Sequence, residues 1–291
     1  MKKLKHLLLS VFAISIISCT SDPSENNSDN LMTLSRKVTI NTQSLYPESY
    51  SKQIKYYSNN EVIADTTFNS ANEWVSRRVI TVNGTTKTFK TYDPTGAILR
   101  HNEETYDSQG RVTSRTTFIP LNLIIVSFVY NSDNTVTATA TNMSTQITTN
   151  VATYHKNDDG LIYKEFKPNS ATPPITVEWT LLFDNLKPTS MINSAATTPI
   201  LFDYYPNTMP SNISKSVLEL NNQVLLGLSL TKLAEEGNFY YKRNNSSNNG
   251  TNTTYLTNFN ANDYIEYYKS TFVSTTGTNN LLTTEVFYYY N

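Results

Sequence analysis

The chain has 291 residues and a formal net charge of −1, which excludes the basic field that gathers nucleic acid or an anionic membrane surface. Aromatic residues reach 12%, with 20 tyrosines, and this excludes an intrinsically disordered chain. One cysteine excludes a disulfide framework and a Cys-based zinc site. The rest of the composition is Thr, Val and Ile with Tyr and Phe, which suit a pleated, half-buried surface, so the fold class read from it is all-β.

The N-terminus opens on Lys2, Lys3 and Lys5, followed by an apolar run from Leu7 to Ser18. That run is shorter than the roughly 20 residues a membrane-spanning helix needs, and it reads as the helix of a secretory signal over 1–18. It ends in Ile16-Ile17-Ser18-Cys19, which resembles the lipobox of bacterial lipoproteins, a family that carries Leu most often where Ile16 stands. The resemblance implies cleavage between Ser18 and Cys19. It also implies diacylglycerol on the Cys19 sulfur, often an acyl group such as palmitate on the new amine, and a membrane, in the envelope the outer one, as a partner. Cleavage there leaves 291 − 18 = 273 residues. Residues 19–31 form a polar, flexible tether, and 32–291 the all-β body. Asp22 and Glu25 in the tether resemble the acidic surface-export signals of Bacteroidetes lipoproteins without being contiguous, which leaves the periplasmic or cell-surface face open.

In the body, Arg78–Val82, Asn83-Gly84 and Thr85–Phe89 read as a hairpin, with both turn residues at positive φ. A looser motif recurs: an aromatic residue, Asp or Asn, polar residues with Gly or Asn, then an apolar strand. It stands at Tyr92-Asp93-Pro94-Thr95-Gly96 and Tyr106-Asp107-Ser108-Gln109-Gly110, with degenerate copies from Tyr57, Tyr130, Tyr154 and Phe183. Asp or Asn opens such a turn by bonding its own backbone, and Gly takes the left-handed position. One hairpin per copy gives an antiparallel meander forming an extended, twisted or curled sheet. The copies resemble the YD repeats of Rhs-type proteins and the repetitive β lipoproteins of Bacteroidetes over roughly residues 50–190. The resemblance implies an exported setting and carries no activity.

Leu121–Val129 is a near-continuous apolar run, read as a strand buried on both faces. Val217–Leu220, Asn221-Asn222 and Gln223–Leu226 read as another hairpin, Thr231–Glu236 as a helical turn ended by Gly237, and Asn244–Thr254 as a loop. Tyr264–Phe272 and Leu281–Tyr290 read as closing strands. Pro173-Pro174 and Pro206–Pro210 interrupt the chain, and residues 190–291 carry no clear mark of a separate subdomain.

Groups that carry chemistry are few. His101 and His155 flank turn motifs and read as solvated histidines rather than metal ligands. Asn157-Asp158-Asp159-Gly160 lacks the alternating ligands and distal glutamate of a calcium loop and reads as a turn. Glu103-Glu104 and Glu235-Glu236 are adjacent pairs that strand geometry points to opposite faces. No metal or cofactor is expected. Asp65-Thr66-Thr67 matches the short O-glycosylation motif of exported Bacteroidetes proteins, with Thr66 as acceptor. Tyrosines cluster at 56-57, 204-205, 240-241, 267-268 and 288–290, where adjacent strand residues place one ring on each face. Exposed rings suit a glycan or peptide ligand. The expected function is that of a noncatalytic binding or structural lipoprotein of the cell envelope, with an envelope glycoside hydrolase using scattered carboxylates as the alternative.

Overall fold

The computed structural model describes residues 32–119, 122–168, 175–184, 186–195, 198–207, 209–212, 214–242, 246–248, 251–274 and 280–291. The signal, the lipobox with Cys19, the tether and Pro173-Pro174 lie outside the described residues.

The elements follow as β1 (Leu34–Gln43), a 3-10 turn at Pro47–Ser49, β2 (Ser51–Ser58), β3 (Glu61–Phe68), β4 (Trp74–Asn83), β5 (Thr86–Tyr92) and β6 (Ile98–Tyr106). Next come β7 (Val112–Ile119), β8 (Asn122–Tyr130), β9 (Thr135–Asn142), β10 (Ile147–Lys156), β11 (Ile162–Pro168), β12 (Thr176–Asp184), β13 (Lys187–Asn193) and β14 (Ile200–Leu201). Two helices, α1 (Val217–Gly227) and α2 (Thr231–Glu236), precede β15 (Ser246–Asn248), β16 (Thr251–Phe259), β17 (Ile265–Ser274) and β18 (Leu281–Tyr290).

The described strands form one antiparallel sheet of 18. Each strand from β2 to β14 pairs with its neighbour in sequence, as hairpin connections require. β1 lies between β2 and β18, so β18, β17, β16 and β15 extend the sheet on the far side. β14 and β15 are the two edges, and the sheet does not close through them. The all-β meander read from the sequence is the fold observed.

The turns obey the chemistry the repeats announce. Asp107 accepts the amides of Gln109 and Arg111 on Oδ1, and its carbonyl accepts from Gly110, which sits at φ +77. Asp93 repeats this around Gly96, and Asn157 accepts the Leu161 amide on Oδ1 and the Gly160 amide on its carbonyl. Two further copies escaped the sequence reading, Phe68-Asn69 to Glu73 and Phe259-Asn260 to Tyr264. In these, Asn72 and Asp263 replace glycine at positive φ. At Phe68, Tyr92, Tyr106 and Phe259 the pairing register slips by one residue, so a bulge sits beside each ring.

Four expectations are corrected. The Asn83-Gly84 hairpin exists, but Asn83 remains in β4 opposite Thr86, and the turn residues are Gly84-Thr85. Gly84 alone takes positive φ, the arrangement of a type II′ turn. Residues 217–226 form α1, because Ser216 and Glu219 make a reciprocal capping box that starts a helix. Within 244–254, β15 and the start of β16 pair as a hairpin instead of forming a loop. β8 is not buried on both faces along its length: Phe128 is buried while Val129 is 55% exposed and the residues before them are half-buried.

The sheet curls, and α1 shows why. Asn221 bonds the β10/β11 turn and Asn222 the β6/β7 turn. On a flat sheet those turns lie four strands apart, about 19 Å. Adjacent residues have Cα atoms only about 3.8 Å apart, so two short asparagine side chains reach both turns only if the sheet bends around the helix. The inside of that bend is apolar. Val112, Phe128, Val136, Ala138, Ala152, Tyr154, Ile162, Leu181 and Met191 from β7–β13 pack against Leu220, Val224 and Leu225 of α1 and Leu233 of α2. Each such aliphatic side chain contributes roughly 1.5–3 kcal/mol by leaving water. Residues Met32–Asn291 form one compact unit that contains this core.

Candidate functional site

The tyrosines at 56-57 and 288–290 divide between faces as strand geometry demands, whereas 204-205 and 240-241 lie outside the named strands and 267 and 268 are both half-buried. Tyr56, Arg36 and Tyr289 occupy neighbouring positions on β2, β1 and β18, because Arg36 lies opposite both. Cross-strand partners share a face, so the three side chains form one row. Tyr56 and Tyr289 are 40% and 41% exposed, and the Arg36 guanidinium lies 4.1 Å from the Tyr289 ring centroid. Among the described residues no carboxylate pairs with Arg36.

The alternate tyrosines turn inward. Burial pushes Tyr57 and Tyr288 up to about 12, with Tyr288 and Asp65 adding to the effect at Tyr57. Tyr264 donates to Asn212 Oδ1 and accepts the Met32 amide, and Tyr290 donates to the Ile265 carbonyl. Beside them Asp65 is 5% exposed, accepts from Gln53 Nε2 and pairs with Arg78. Thr66, the candidate glycosylation acceptor, lies half-buried on β3 between Ile54 and Arg77.

A cleft of about 600 Å³ opens where α1 crosses the ends of β3–β6. Its floor comes from the β2/β3, β4/β5 and β6/β7 turns with Glu61, Val82, Lys87, Tyr106 and Asp107, and its roof from Leu218, Glu219, Asn222, Gln223 and Leu226. The helix presents two stripes. Leu220, Asn221, Val224 and Leu225 enter the core, while residues 218, 219, 222, 223 and 226 face the cleft at the spacing of one helix face. Gly110 lets the roof come close, since a Cβ there would stand 3.3 Å from Leu218 Cδ2.

Three carboxylates border the cleft, and each is committed elsewhere. Glu61 pairs with Lys87 at 3.0 Å. Glu219 accepts from the Ser216 amide and hydroxyl. Asp107 loses some hydration, which opposes ionisation, but the Arg111 and Gln109 amides and the Arg111 guanidinium hold its carboxyl below the usual range. A general acid needs the reverse shift. Glu103 and Glu104 diverge, one to His101 and the other to the Tyr106 hydroxyl. His101 stacks on Phe118 with ring centroids 4.2 Å apart, whereas His155 meets Phe166 four strands away. Asp158 and Asp159 are exposed in their turn. Among the described residues no three His, Cys, Asp or Glu side chains converge to hold a metal.

One buried charge lies behind the helices. Glu165 is buried, pairs with Lys167 at 2.8 Å and receives the Leu230 amide, yet burial raises its carboxyl above the usual range. Lys167 also donates to the Leu228 carbonyl, tying β11 to the end of α1.

No family model matches the chain, and no curated protein matches it. Among solved structures, a porin-like protein from Bacteroides uniformis is similar over 89% of this chain and 96% of its own, at 11% identity and a TM-score of 0.42. A chain of the TcdB2-TccC3-Cdc42 complex is similar over 84% of this chain but 14% of its own length, at 12% identity and a TM-score of 0.27. No described helix is long and apolar enough to cross a membrane.

Proposed function

We propose that this protein is a noncatalytic binding lipoprotein of the bacterial cell envelope, tethered through lipid on Cys19, whose outer face takes an acidic glycan. The observation that carries the reading is the Tyr56–Arg36–Tyr289 row. Strands lie about 4.8 Å apart, so the two rings stand about 10 Å from each other with a guanidinium between them. Tyrosine supplies a rigid, amphipathic surface that loses little entropy on binding, and the arginine fork matches a carboxylate with two parallel hydrogen bonds. Stacking on Tyr289 holds that fork in place without neutralising it. The membrane attachment rests on Ile16-Ile17-Ser18-Cys19 after a short apolar run. The noncatalytic part draws support from the commitment of Glu61, Asp107 and Glu219 to other partners.

The test is an array of uronic-acid-bearing and neutral glycans and acidic peptides probed with residues 20–291. Binding to acidic glycans is expected, with loss in Arg36→Gln and strong weakening in Tyr56→Ala and Tyr289→Ala. Silence on acidic glycans, a preference for peptides, or binding unchanged in Arg36→Gln overturns the reading.

A further inference from the structure

The Tyr289–Arg36–Tyr56 row does not end at β2. Tyr56 lies opposite Ala64, Ala64 opposite Val79, Val79 opposite Lys90, Lys90 opposite His101 and His101 opposite Phe118. Cross-strand partners share a face, so a single row runs from β18 through β1 to β7, about 34 Å at the usual strand spacing. It lies on the face turned away from the helices. The alternate residues point the other way: Arg78 pairs with the buried Asp65, and Arg115, opposite Glu104, donates to the Leu226 carbonyl of α1. We infer that the acidic glycan is a polymer bound along this row, one sugar ring to a strand, with a second subsite at Lys90, His101 and Phe118. This rests on the acidic-glycan reading and deepens it.

The far end of the row repeats the device of the near end. Arg36 stacks on Tyr289, and the His101 ring stacks on Phe118, with centroids 4.2 Å and planes 14° apart. Phe118 is 36% exposed, as an anchor for a sugar ring requires. Between the two ends the floor is low, because Ala64 and Val79 are short. Cations recur along the same face. Lys90 stands four strand spacings from Arg36, about 19 Å along the row. Arg77 is exposed two residues before Val79, opposite Tyr92. Among the described residues no carboxylate pairs with Lys90 or Arg77. Glu103, beside the row, is held by His101 at 3.1 Å. The face is therefore basic although the chain carries −1, and an anionic ligand complements both ends. The strand spacing is close to the advance of a polysaccharide per pyranose ring. Carboxylates on Arg36 and Lys90 then lie four rings apart, which a uronate at every ring or every second ring supplies. A chain of two or three rings reaches one end only.

The experiment is calorimetric titration of residues 20–291 with oligogalacturonates, oligoalginates and hyaluronan oligomers of two to eight rings, with maltooctaose as the neutral control. In at least one acidic series the affinity rises about a hundredfold between three rings and six, as two linked subsites require. Lys90→Gln and Phe118→Ala each weaken the eight-ring ligand about tenfold and leave the two-ring ligand unchanged. Arg36→Gln weakens every length. Val79→Glu sets a carboxylate in the middle of the row and cuts the eight-ring affinity to that of two rings, while its far-UV spectrum stays that of the parent. Affinity that is flat with chain length, or eight-ring binding unchanged in Lys90→Gln and Val79→Glu, overturns this inference and leaves the acidic-glycan reading standing. Silence in every acidic series, or equal binding of maltooctaose, overturns both.

Discussion

Replacing Asn221 by alanine tests the joint on which the curl depends. Asn221 is buried and donates from Nδ2 to the Gly160 carbonyl at 2.9 Å, while its Oδ1 accepts the Ile162 amide at 2.8 Å. Ile162 is fully buried, so no water reaches its amide once the asparagine is removed. Each orphaned buried group costs about 1–3 kcal/mol, and two of them bring the expected loss to roughly 2–5 kcal/mol. That is a large share of the ~5–15 kcal/mol by which domains are stable. Asn222 makes the equivalent pair of bonds to Gly110 and Val112, and Val112 is as fully buried as Ile162. Asn222 itself, however, is half-buried and lines the cleft, so water can enter the space its side chain leaves, which it cannot do behind the buried Asn221. Asn222→Ala therefore costs less, about 1–2 kcal/mol. Urea denaturation of residues 20–291, followed by far-UV dichroism and tyrosine fluorescence, measures both. An Asn221→Ala loss below about 0.5 kcal/mol, or one smaller than that of Asn222→Ala, would refute the view that buried turn amides are read by the helix.

Gly84→Ala and Gly110→Ala both force alanine to positive φ at a cost of about 1–2 kcal/mol, but only the second also presses on Leu218, so its urea midpoint falls further and α1 loosens. The carboxyl of Glu165 is raised in the folded state, so the native protein holds its proton more tightly than the unfolded chain does. The contribution of Glu165 to stability is therefore greatest below the unfolded value near 4.3 and is lost as pH rises from there through the higher folded value, against the opposite trend of Asp93, Asp107, Asp133 and Glu178, whose carboxyls are held below the usual range. Glu165→Gln flattens this decline in a pH series of urea titrations, and an unaltered slope assigns it to other groups.

The sequence was most readable where structure is local. An Asx side chain that bonds the amide four residues on, with Gly at positive φ between, is written into Tyr106–Gly110 and Tyr154–Gly160, and both turns form as read. Substitution of Gly by Asn72 or Asp263 hid two more copies, because the same backbone is reached there without the diagnostic residue. α1 was misread because Asn221-Asn222 sits between alternating apolar residues, as a hairpin turn would. The better signal was Ser216 with Glu219, and the asparagines proved to serve turns about 60 and 110 residues away in sequence. The division of the tyrosines at 56-57 and 288–290 between faces followed from strand alternation. The Arg36 row did not, since it depends on β1 pairing with β18 across almost the whole chain. The cleft was equally invisible, because it exists only once α1 is laid over three separate turns.

The claim on which the rest stands is attachment through Cys19. Metabolic labelling of cells with an alkyne palmitate analogue, followed by capture of the full chain, measures it directly. The account predicts a labelled parent of 273 residues after processing, and a Cys19→Ser form that takes up no label and keeps residues 1–18. A parent without label, or a Cys19→Ser form that still carries it, would contradict the account.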